Sequence, residues 1–169
     1  MMENEEAYEA FVEAVLEHLP LFFSVDAASA RDRLNQAGYR MARQLSGEPM
    51  VAKQVGDAAV CLFAKPSMPL PKAKLVGSGA GRLFDRFTAT LETRGFQRAA
   101  SGNPKPGMRI ETYSALEPGR IFAITVMQMI GNDQVLLAAA MPPADVEKRS
   151  VGIDLLASAL GRKQTLAPG

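Results

Sequence analysis

The residues best suited to chemistry in this chain are Gly77-Ser78-Gly79-Ala80-Gly81, which stand just before a helical pattern opening at Arg82. Consecutive backbone N–H groups at a helix start can hold a phosphate, and nearby cations add to the attraction. Lys74 lies shortly upstream, and Arg109 is a further cation on a later strand pattern. Lys74, Gly77, Ser78, Gly79, Gly81, Arg82 and Arg109 are therefore the candidate ligand-binding residues. The spacing lacks the last glycine of a dinucleotide fingerprint and the Lys-Ser/Thr pair of a P-loop. A flexible linker that also begins a helix accounts for the same residues, and it is the commoner origin of such a cluster.

Other chemistries find less material. His18 is the single histidine and Cys61 the single cysteine, far apart in sequence. A transition-metal site generally needs several such ligands at set spacings, so no metal is expected. A Cys61-His18 nucleophile pair would need an exposed, electropositive thiol. Cys61 instead sits between Val60 and Leu62 and reads as a core thiol. His18 falls at the end of a helical pattern, where a partly charged imidazole suits the helix dipole. No serine occupies a Gly-x-Ser-x-Gly elbow, since Ser78 is one residue too tightly flanked. Arg109, Glu111 and Tyr113 alternate along one strand, which reads as the solvated face of an antiparallel sheet or, less commonly, as a polar ligand surface. The expectation is a non-enzymatic chain with no cofactor.

The composition bounds the class. With 169 residues, 47% of them apolar and 22% charged, the chain suits a single globular unit over residues 1–169. A net charge of +1, without a basic stripe, argues against nucleic acid as a partner. The acidic start, Glu3 to Glu6, does not resemble a secretory signal. The most apolar stretch, Ile121 to Ala140, is interrupted by Gly131-Asn132-Asp133, so no membrane span is expected. The default location is cytoplasmic.

The elements that would position these residues follow from periodicity. Tyr8, Phe11, Val12, Val15 and Leu19 share a helical face over Glu5 to Leu19, ended by Pro20. A second helix capped by Ser24 or Asp26 stops at Gly38. Strands are expected over Tyr39 to Leu45, Met50 to Val55 and Ala58 to Ala64, the last two joined at Gly56-Asp57 as a two-residue hairpin. Residues 65–81 read as a Pro/Gly connector. A third helix over Arg82 to Arg94 ends at Gly95. Four strands follow: Phe96 to Ala100, Met108 to Ala115, Ile121 to Ile130 and Gln134 to Met141. The last two are apolar on both faces and should lie mid-sheet. A final amphipathic helix over residues 145–161 directs Ile153, Leu156, Ala157 and Leu160 inward. The order helix, Gly-aromatic, three strands recurs, which reads either as pseudo-repeat halves over 24–64 and 82–141, in which Lys53 and Glu111 fall at matching places, or as the common pattern on which helix-to-strand junctions converge.

The fold class is therefore α+β, an antiparallel sheet built of a three-strand and a four-strand meander with helices packed on one face. This layout resembles the small chaperones of bacterial type III secretion, which share the element order and form dimers. The resemblance implies a chaperone-like, protein-binding module of the bacterial cytoplasm that partners another protein or itself, through a sheet face or an apolar groove. The alternative is a small-ligand or phosphate binder using Gly77 to Gly81.

Overall fold

In the computed structural model the described residues are 2–23, 26–43, 49–65, 68–103, 105–117, 121–129 and 131–142. The chain opens with helix α1 (Met2–Glu13), a π-helical turn (Ala14–His18) and a 3₁₀ turn (Leu19–Phe23). Helix α2 (Ala27–Gln36) follows, its first turn capped by Asp26, whose carboxylate accepts from Ser29 N–H at 3.0 Å. Strands β1 (Arg40–Arg43), β2 (Pro49–Val55), β3 (Ala58–Lys65) and β4 (Met68–Val76) come next. A short 3₁₀ turn (Ala80–Leu83) leads into α3 (Phe84–Thr93), then β5 (Phe96–Gly102), β6 (Met108–Ala115), β7 (Ala123–Met129) and β8 (Val135–Met141).

All eight strands form one antiparallel sheet in the order β1-β2-β3-β4-β8-β7-β6-β5. The expected hairpin at Gly56-Asp57 is present, with Val55 paired to Ala58 and Gly56 at φ 60°. The helix stops at Gly38 and Gly95 carry the positive φ that permits a sharp reversal there. β8, apolar on both faces, sits at the centre of the sheet.

Two expectations are corrected. The connector assigned to 65–81 is strand for much of its length, because β4 pairs with β3 on one side and β8 on the other. Pro69 and Pro71 lie in this strand, ahead of the densest part of its pairing with β8, which runs from Lys72 to Val76. The segment is thus the seam of the sheet, and each half carries four strands. The first helix is also interrupted earlier than expected: its α-helical part ends at Glu13, and Pro20 falls inside the 3₁₀ turn. The final helix expected over 145–161 lies outside the described residues.

The pairing has a twofold order about Lys74 and Leu137, which face each other across the seam. One row across six strands reads Lys53, Val60, Leu75, Leu136, Gln128, Arg109; the next row on the same side reads Val51, Leu62, Ala73, Ala138, Val126, Glu111. Rotation about the seam exchanges these rows and sets Lys53 opposite Glu111. The buried core joins the helical residues Phe11, Val15, Leu19, Phe22, Leu34, Phe84, Phe87 and Leu91 to this side of the sheet.

Candidate functional site

The sequence candidates are not gathered into one pocket. Lys74 pairs with Cys61 and Leu137, so its side chain alternates away from the buried neighbours Ala73 and Leu75. Its ammonium stands 5.7 Å from the centre of the Phe63 ring. The glycine segment lies past the end of β4, against the β7–β8 turn. There Gly77 N–H donates to the Gln134 carbonyl at 2.8 Å and Gly81 N–H to the Asp133 carbonyl at 3.0 Å. Ala80 and Arg82 donate to Gly77 and Gly79. Amides already engaged with carbonyls are not free to cradle a phosphate.

Gly81 has a packing reason instead. A Cβ there would meet the Asn132 carbonyl oxygen at 2.8 Å and the Asp133 Cα at 3.0 Å. The Gln128 side chain closes the same junction, donating to the Gly81 carbonyl at 2.7 Å. Arg82 grips Asp133 through Nε at 3.0 Å and Nη2 at 2.7 Å. That hydrogen bond holds the Asp133 carboxyl below its ordinary range. Ser78 is exposed, and Gly79 takes φ 82° in open space.

Arg109 lies one step away, under the start of α3. Its guanidinium stacks 4.3 Å from the Phe84 ring centre and pairs with Asp85 at 2.9 Å and Glu111 at 3.0 Å. Glu111 and Tyr113 are buried, and Tyr113 donates to the Glu111 carboxylate at 3.0 Å. The solvated face expected for Arg109, Glu111 and Tyr113 is therefore wrong for the last two. The polar residues form a clamp beneath α3, since a buried carboxylate must be paired. Burial raises the Tyr113 phenol above its ordinary value.

His18 and Cys61 have separate surroundings. His18 Nδ1 is 2.9 Å from the Tyr39 hydroxyl, and its Nε2 is 3.7 Å from Glu13. Burial lowers its pKa, opposed by Glu13 and Glu17 and assisted by Lys53 and Arg33. Cys61 alternates away from Val60 and Leu62, and burial raises its thiol. Among the described residues no group of three potential metal ligands occurs, and no helix is long and apolar enough to cross a membrane.

One concavity was not legible in the sequence. α1 packs on α3 through the Phe11–Phe87 edge contact, the Tyr8–Thr90 hydrogen bond and the Glu5–Arg86 ion pair. A groove of about 560 Å³ opens between Glu9, Val12, Glu13, Leu16 and Glu17 on one wall and Thr90, Thr93 and Arg94 on the other. It continues into a second hollow of about 620 Å³, lined by Gly95, Phe96, Ala115, Leu116, Glu117 and Ile121 and sharing Leu16, Glu17, Thr93 and Arg94. Glu9, Glu13 and Glu17 recur every fourth residue, a spacing that places them on one helix face and that a sequence reader can find. What the sequence hides is that this face overlooks a gap.

No family model, curated protein or solved structure matches the chain.

Proposed function

We propose that the chain is a non-catalytic protein-binding module, and that the groove between α1 and α3 receives a basic amphipathic segment of another protein. The observation that supports this is the groove's pairing of an apolar floor with an acidic rim. Val12, Leu16, Phe96, Leu116 and Ile121 are the apolar lining residues, and Glu9, Glu13, Glu17, Glu117 and Arg94 stand in the same lining. Leu116 is 62% exposed, an unusual position for a leucine beside such a floor. An amphipathic helix laid in a groove buries one apolar stripe and leaves its charges at the rim. Complementary charge then sets approach rate and salt dependence. The same surface would serve a chaperone-like role in the cytoplasm.

A labelled helical peptide of leucine and lysine, with a leucine and glutamate counterpart, tests this by fluorescence anisotropy. The basic peptide is expected to bind, to weaken as salt rises, and to weaken about tenfold on Leu116→Asp or on combined Glu9→Gln and Glu117→Gln. Binding of both peptides alike, or binding indifferent to these substitutions, would overturn the assignment.

A further inference from the structure

His18 links the core to the wall of the groove. It closes the π-helical turn Ala14–His18, in which the Leu19 N–H donates to the Ala14 carbonyl. Such turns recur in helices at functional places. Leu16 and Glu17 of the same turn line the groove, and so does Glu13 immediately before it. The His18 side chain, 12% exposed, stands between Glu13 and the buried Tyr39. Its Nε2 is 3.7 Å from the Glu13 carboxylate and its Nδ1 2.9 Å from the Tyr39 hydroxyl. The two rings meet edge to face, with centres 5.1 Å apart.

A neutral imidazole offers one N–H and one acceptor. The tautomer that suits both neighbours carries its proton on Nε2, towards Glu13, and accepts the Tyr39 O–H at Nδ1. A proton taken from solvent must therefore go to Nδ1. The ring then donates on both sides, and Tyr39 must accept and turn its own proton elsewhere. The imidazolium now faces a carboxylate at ion-pair distance. Among the described residues the other charges around the ring are Glu17 on its own turn, Arg33 on α2 and Lys53 on β2. Lys53 donates to the Ala37 carbonyl at 3.2 Å and stands 5.1 Å from the centre of the Tyr39 ring. Burial and the two cations oppose the charged ring, and the two carboxylates favour it. Those two carboxylates are also groove lining.

We infer that His18 makes the groove proton-sensitive: on taking up a proton the ring engages Glu13, and the groove releases a basic segment. The inference rests on the reading of the groove as the site for such a segment. A bound lysine at Glu13 and a charged His18 repel each other and compete for one carboxylate, so each disfavours the other by the same factor. Affinity is then full while the ring is neutral and falls as pH drops through its titration.

The full chain and the leucine and lysine peptide test this by fluorescence anisotropy at fixed ionic strength, between about pH 7.5 and about pH 5. The Kd is expected to rise about threefold across that range beyond any rise in His18→Gln, with equal binding by both chains at the neutral end. His18 is the single histidine, so its ring proton in NMR reads the titration directly. Saturating peptide should lower the midpoint by about half a pH unit, the shift that linkage ties to a threefold change. That titration uses the unaltered chain and decides the matter if His18→Gln does not fold. Equal rises in both chains, or a midpoint that stays put on binding, overturn the inference and leave the groove reading in place. Absence of peptide binding at every pH would overturn both.

Discussion

Two glycines in the same short segment are there for different reasons, and their substitution separates packing from backbone conformation. At Gly81 a methyl would press on the backbone of Asn132 and Asp133. Backbone cannot rotate aside, so Gly81→Ala should cost about 1–3 kcal/mol through a forced shift of the β7–β8 turn. At Gly79 the space is open but φ is 82°, so Gly79→Ala should cost about 1–2 kcal/mol through the left-handed conformation alone. Denaturant melts measure both losses, and amide shifts at 131–135 should follow only the first. His18 carries a second prediction at this scale. Its pKa is lowered in the fold by burial, against an unfolded value near 6.5. The neutral ring's contribution is therefore complete above about 6.5 and is lost as pH falls through the depressed native value. His18→Gln should flatten the fall in melting temperature between neutral and mildly acidic buffer. An unchanged slope would show that the ring does not control it.

At the scale of elements, β6 and α3 are joined by the Arg109, Glu111 and Tyr113 clamp. Glu111→Ala leaves the Tyr113 hydroxyl without this acceptor and Arg109 with Asp85 alone. The expected loss is about 1–3 kcal/mol, in the range for a buried group stripped of its partner. Arg109→Ala should cost at least as much, because it leaves the buried Glu111 carboxylate without its cation. Chemical denaturation of the two variants tests the order. The sequence showed seven of the eight strands, most of their turns and the glycine helix stops, because turn chemistry and alternation are local signals. It misplaced β4, whose Pro69 and Pro71 speak against a strand, since its pairing depends on β8 some sixty residues later. It placed Glu111 and Tyr113 in water for a related reason. Alternation says which residues share a face, and only the packing of α3 says which face is covered. The groove escaped for the same cause, as its lining is drawn from elements far apart in sequence.

Across the whole molecule the seam between β4 and β8 makes one sheet of two four-strand halves. Leu75 and Leu136 pair across it, and both are buried among residues drawn from both halves and from α1. α1 adds a second tie, since it touches β2, β3 and β4 as well as α3. The buried core of the described residues runs through both halves: Phe11 packs on Phe87, while its own helix touches the first half's strands. Leu136→Ala removes a fully buried side chain from the seam, and partial collapse around the gap puts its cost at about 2–5 kcal/mol. If the halves are one cooperative unit, that loss appears everywhere. Hydrogen exchange followed by mass spectrometry should show peptides within 50–64 and 108–115 losing protection by the same free energy, although only the second half carries the substitution. A loss confined to residues 96–141 would mean that the halves open separately and that the seam is a contact between two folding units.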